Sequence, residues 1–158
     1  MDVTTHVVID RPRPEVAAFA MDPENVPAWY ANIHRVSVLT AGPLAVGSRL
    51  AFQARFAGRT LRYEYAVREL VPGELLVMST DDGPFPMRTT YRFRDAAAPA
   101  APGGPSGPGA PVAATVMELR NDGGPSGPGR LLAPVLARMM RRENRRDLDR
   151  LKAVLEAR

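Results

Sequence analysis

From Ile33 onward the chain alternates apolar and polar residues, and the alternating runs are joined by connections too short for anything but a reversal of direction. Period-two patterning covers about 33–40, 47–57, 60–71, 74–80, 86–95 and 112–120. Gly42-Pro43, Gly58, Pro72-Gly73 and Gly83-Pro84 punctuate these runs as turn signals. Parallel neighbours need crossovers of a dozen residues or more, so the six strands are predicted to form an antiparallel meander. The alternation also sorts the side chains. Phe52, Ala54, Phe56, Leu61, Tyr63, Tyr65, Val67, Met87, Thr89, Tyr91 and Phe93 share one face, whereas Gln53, Arg55, Arg62, Glu64, Arg68, Arg88, Arg92 and Arg94 share the other. The second face is wet, so helices are expected on one side of the sheet only.

Both ends of the chain supply what covers the apolar face. Val3–Ile9 is rich in β-branched residues and reads as a first strand, ended by Pro12 and Pro14. Pro14 and Glu15 suit the start of a helix that carries Val16, Phe19 and Ala20. Asp22-Pro23-Glu24-Asn25 opens a second short helix bearing Val26, Trp29 and Tyr30. At the far end Arg130–Ala157 reads as one amphipathic helix, with Pro134 tolerated in its first turn. Leu132, Val135, Leu136, Met139, Met140, Leu148, Leu151, Val154 and Leu155 recur at helical spacing, which predicts a single stripe lying in the curve of the sheet. Asn144 interrupts that stripe, one turn after Met140 and one before Leu148, with Glu143 beside it. A polar group aimed inward costs free energy unless it finds a partner. Either a wet cavity or ligand supplies that partner, or the strand backbone does.

At 158 residues and 45% apolar content, a single domain over 1–158 with a sizeable core is expected. The absence of cysteine excludes disulfides, thiolate zinc sites and a Cys nucleophile. No apolar run approaches the roughly 20 residues of a membrane span, and Met1-Asp2-Val3-Thr4 does not open a signal peptide, so a cytoplasmic protein is expected. The net charge of +4 does not point to nucleic acid: Lys152 is the only lysine. Arg138, Arg141, Arg142, Arg145, Arg146 and Arg150 are interleaved with Glu143, Asp147 and Asp149 at spacings for ion pairs within a solvated helix face. Residues 96–111 are Ala, Pro, Gly and Ser without periodicity, and read as a mobile hairpin loop. Gly103-Gly104-Pro105-Ser106-Gly107-Pro108-Gly109 recurs at Gly123–Gly129, and both copies read as linker sequence from a GC-rich coding bias.

The order of strand, two short helices, six-stranded meander and long last helix resembles the helix-grip fold. The residues sharpen the likeness. Ile9-Asp10-Arg11-Pro12-Arg13-Pro14-Glu15-Val16, Asp22-Pro23-Glu24-Asn25 and Trp29 resemble the opening of the START-like or Bet v 1-like (SRPBCC) superfamily, in its bacterial polyketide cyclase/dehydratase branch. Gly47-Ser48-Arg49, Gly58-Arg59, Val67 to Pro72, Gly83-Pro84-Phe85 with Tyr91-Arg92-Phe93, and Asp147-Leu148 through Leu155-Glu156 are similar to that branch's later landmarks. The resemblance covers nearly the whole chain and implies an α+β fold, its sheet curved around the last helix with an apolar cavity between them. It further implies a hydrophobic ligand such as a polyketide, lipid or aromatic molecule. Some members of the superfamily catalyse cyclisation, dehydration or hydrolysis, but they share no universal catalytic residue.

Conventional sites fail. His6 and His34, the only histidines, belong to no metal-ligand motif, and Ser106 and Ser126 stand in no nucleophile elbow. The glycines do not match a dinucleotide fingerprint, and no cofactor or metal is expected. What remains as candidate ligand-binding residues is Trp29, Phe52, Tyr63, Tyr65, Met78, Tyr91, Phe93, Met117, Met139 and Asn144, aromatic and Met side chains that suit a pocket for a planar or oily molecule. For catalysis, Tyr63, Tyr65 or Tyr91 would orient or protonate a carbonyl oxygen, and Glu143 would act as base or pair with Arg146. Three function classes follow. A polyketide cyclase or dehydratase needs polar groups converging on one point, and a carrier or sensor needs an apolar pocket with one or two anchors. A protein-interaction module needs a filled core and an exposed apolar patch. The expected partner is a hydrophobic small molecule, with homodimer formation left open.

Overall fold

The β-branched opening segment forms β1 (Asp2–Ile9), and the proline pair that ends it starts α1 (Arg13–Met21) with Pro14 in its first turn. The computed structural model describes residues 1–56, 58–83, 85–96 and 113–158. The Asp22 side chain accepts from the Glu24 N–H at 2.9 Å and caps a 3-10 turn, Pro23–Asn25, that runs into α2 (Val26–Trp29). Six strands follow: β2 (Ile33–Val38), β3 (Arg49–Phe56), β4 (Arg59–Val71), β5 (Leu75–Thr80), β6 (Met87–Asp95) and β7 (Thr115–Gly123). A 3-10 segment, Gly127–Leu132, leads into α3 (Ala133–Glu156).

The sheet is antiparallel throughout, in the order β1-β7-β6-β5-β4-β3-β2. β1 lies on the last strand, from Asp2 opposite Asp122 to Ile9 opposite Thr115. Register shifts between Ile33 and Arg35 and between Val67 and Glu69 mark irregularities of the kind that bend a sheet. The concave face holds α3, together with α1 and α2. Arg11 ties the helix end to the start of the chain, donating to the Glu156 and Arg158 carbonyls at 3.1 and 2.6 Å. On the convex face Arg49–Glu64, Arg88–Glu69 and Arg120–Asp2 form ion pairs in water, where solvent and salt screen them and leave little net stabilisation. No described helix is long and apolar enough to cross a membrane.

Three expectations change. The apolar stripe of the last helix is not continuous. Leu148, Leu151 and Leu155 are buried, whereas Leu132 and Val135 are exposed and Met139 is half-exposed at the margin. Asp147, expected on the solvated Arg-rich face, is buried at 4% exposure. The second Gly-Pro-Ser copy is more than linker: Gly123 ends β7 with φ +134°, its N–H donates to the Met1 carbonyl at 2.9 Å, and a Cβ there would overlap the Pro86 carbonyl. The expected loop at 96–111, and the first copy within it, lie outside the described residues, apart from Ala96, whose N–H donates to the Ala114 carbonyl at 2.9 Å.

Candidate functional site

The two halves of α3 meet the sheet differently. Beyond Asp147 the helix presents Leu148, Leu151 and Leu155, which pack with Trp29, Phe93 and Met117 into a closed core. Before Asp147 its inward positions are Leu136, Met140 and Asn144, and a cavity of ≈ 310 Å³ opens between them and strands β3 to β7. Phe52, Ala54, Leu61, Met78 and Met87 form apolar wall. Arg55 and Phe56, at the end of β3, and Asp82, Gly83 and Phe85, from the β5–β6 connection, join Met139 at an open mouth.

Four tyrosines reach into this space. Tyr63 and Tyr65 alternate on β4 and gather around Phe52, with ring centroids 6.0 and 5.1 Å from it. Tyr91 on β6 shares a 2.9 Å hydrogen bond with the hydroxyl of Tyr30, which follows α2. Trp29 lies tilted against Tyr30 with ring centroids 4.1 Å apart and sits edge-on to Tyr91 at 5.7 Å, packing against that pair. Burial raises the pKa of all four phenols above the ordinary tyrosine value, so each stays protonated, and one hydroxyl of the Tyr30–Tyr91 pair donates to the other.

A second polar group stands on α3 and β7. Asn144 donates through Nδ2 to Asn121 Oδ1 at 2.7 Å, and Asn121 donates through Nδ2 to Thr89 Oγ1 at 2.9 Å. The partner of the inward Asn144 is thus a buried side-chain amide rather than strand backbone. Asp147, one turn further along the helix, accepts from the Ala31 N–H at 3.0 Å. Burial pushes its pKa up to about 6, against that backbone hydrogen bond, with the nearby Glu143 charge adding to the rise. Its charge is felt by Tyr30 and Tyr91. Glu143 itself is half-buried, accepting from Asn32 Nδ2 at 3.2 Å and pairing with Arg146 at 3.5 Å.

Of the residues singled out from the sequence, Phe52, Tyr63, Tyr65, Met78, Tyr91, Met139 and Asn144 line the cavity. Trp29, Phe93 and Met117 do not; they fill the closed core on the α1 and α2 side. The sequence reading missed Tyr30, Thr89, Asn121 and Asp147 as cavity residues. Two of the four left a signal. Asp147 is three residues after Asn144 and four before Leu151, which puts it on the inward face. Asn121 continues the inward alternation of Met117 and Leu119, beyond where the last strand was expected to end.

No curated protein matches the chain in sequence. Among solved structures, the di-domain ARO/CYC BexL from the BE-7585A biosynthetic pathway superposes with a TM-score of 0.74 at 17% identity, over 99% of this chain. This chain spans 46% of BexL. The Zhui aromatase/cyclase from Streptomyces sp. R1128 gives 0.72 at 16% identity, over 99% of this chain and 93% of that one. A START superfamily protein from Mycobacterium smegmatis gives 0.73 at 15%, over 99% and 97%. At these identities the likeness is one of fold, and that fold is the helix grip. A family model described as polyketide cyclase / dehydrase and lipid transport matches residues 1–156, and the chain belongs to that family.

Proposed function

We propose that the chain binds a hydrophobic small molecule with oxygen functions, of aromatic or polyketide type, between the sheet and α3. One observation carries this reading: the core is not filled, and the largely apolar wall of the ≈ 310 Å³ space bears two separate polar stations. The Tyr30–Tyr91 hydroxyl pair forms one, and the Asn144–Asn121–Thr89 series forms the other. A dry packed core has no use for so many donors. The volume is at the lower end of the roughly 300–1,000 Å³ of small-molecule sites, which favours a few fused rings over a two-chain lipid. The test is a fluorescence titration with the neutral dye N-phenylnaphthylamine, competed by a hydroxyanthraquinone. Ala54→Phe, which fills the cavity from β3, should abolish dye uptake while circular dichroism remains native. Undiminished uptake by the folded variant would refute the reading.

The burial of Asp147 favours cyclase chemistry over passive carriage. With a pKa of about 6 its carboxylate is a stronger base at neutral pH than an ordinary aspartate, yet still able to return a proton. It would take a proton from a carbon lying between two carbonyls. The enolate carbon so formed would attack a more distant carbonyl carbon of the same molecule, and the new alkoxide would recover the proton from Asp147. Tyr30 or Tyr91 would donate to the enolate oxygen. With a synthetic poly-β-ketone thioester, Asp147→Asn should lower cyclisation by about 10²-fold or more with dye affinity unchanged. Equal rates in wild type and variant would leave carriage as the function.

A further inference from the structure

Where later turns of α3 place arginines on the outward side, its approach and first turns place apolar residues. Leu131, Leu132, Val135 and Met139 are exposed at 86%, 60%, 59% and 47%. Val135 and Met139 stand one turn apart on α3, Leu131 and Leu132 stand in the 3-10 segment that runs into it, and together they make an apolar ridge; Phe56, 56% exposed, joins Met139 at the cavity mouth. Single exposed apolar residues are ordinary, but a contiguous set of this size marks an interaction surface.

The charge around the ridge is mostly basic, with Glu143 one turn beyond Met139 and Asp82 across the mouth as the acidic neighbours. No acidic residue stands between Asp122 and Glu143, and that stretch carries four arginines, Arg130, Arg138, Arg141 and Arg142. All four are exposed, and among the described residues none has a carboxylate within 4 Å. Further along the helix, Arg146 and Lys152 do have acidic partners.

We propose that this ridge docks on the surface of an anionic phospholipid bilayer. Leu131, Val135 and Met139 enter the boundary of the acyl region, while the arginines reach lipid phosphates, which the planar guanidinium can grip with two hydrogen bonds. A bilayer fits better than a protein partner. The ridge lacks the Tyr and Trp anchors enriched in protein interfaces, and its basic flank carries no pattern beyond its sign. In this pose the cavity mouth faces the membrane, and an apolar ligand passes between bilayer and cavity without crossing water. The surface stands on its own exposed residues, whether or not the cavity takes a ligand.

Sedimentation with vesicles tests it. The protein should bind phosphatidylcholine vesicles containing about one-third phosphatidylglycerol, bind pure phosphatidylcholine about tenfold less, and dissociate as salt is raised. Leu131→Ser with Val135→Ser should weaken binding about tenfold, and Arg138→Gln with Arg142→Gln should do so and flatten the salt dependence. Neither pair lines the cavity, so dye uptake without vesicles should be unchanged; its loss alone would count against the cavity reading and not against this one. Absence of vesicle binding, or equal binding by wild type and both double variants, overturns the proposal. So does a concentration-dependent dimer abolished by Leu131→Ser with Val135→Ser, which would make the ridge a contact between copies of this chain.

Discussion

Replacing Asn144 by Leu removes the donor that Asn121 accepts from and leaves that amide buried without its partner. The change should cost about 1–3 kcal/mol, measured by urea unfolding. Adding Asn121→Leu should recover part of the loss, because both ends of the bond are then apolar; simple additivity of the two costs would show that the bond carries no coupling. Asp147 behaves in the opposite sense. Its folded pKa, about 6, lies above the ordinary value of 3.8, so the native state holds its proton more tightly than the unfolded chain. The stability this contributes is fully present below about pH 4 and is lost as pH rises through 6. Asp147→Asn keeps an oxygen for the Ala31 N–H and removes the buried charge. It should therefore exceed wild type by about 1–3 kcal/mol at pH 7–8, with the gap closing toward pH 4. A gap that does not change with pH in thermal unfolding would mean that the carboxylate is solvated in the folded state.

In α3 the same distinction holds between two sets of side chains that look alike in sequence. Leu148→Ala or Leu151→Ala should cost about 2–5 kcal/mol, whereas Val135→Ala should stay within about 0.5 kcal/mol, both read from denaturant midpoints. This division was open to inspection. Met139 and Leu148 are nine residues apart, two and a half turns, and so lie on opposite faces of one straight helix. Joining them into one stripe counted apolar residues and overlooked their phase. Strands β3 to β6 were legible to within about two residues because alternation and turn glycines agree there. β7 was misplaced because the Ala-, Pro- and Gly-rich stretch before it has no period to mark its start. That error also hid Asn121. Pairing between side chains, such as Asn144 with Asn121 across 23 positions, leaves no local trace in a sequence. The same holds for Gly123, which looks like linker and is required by geometry. Gly123→Ala should cost more than about 3 kcal/mol, since it meets both a disfavoured φ and the Pro86 carbonyl; a variant of native stability would show that this corner can open.

Across the whole molecule, the sheet is seamed by its first and last strands, and Arg11 binds the end of α3. β1 finds its partner only after more than a hundred intervening residues have been placed. Local hairpins from β2 to β6 have no such delay. On a ribosome the first eight-residue strand must therefore wait, its edge unpaired, while the rest of the meander assembles beside it. Refolding from denaturant should accordingly be limited by the closing of this seam and take milliseconds to seconds. Until then the cavity has a roof and no fixed floor, so ligand present during synthesis meets a half-built container, and the nascent chain is at its most vulnerable to cleavage between β1 and the body it has yet to join.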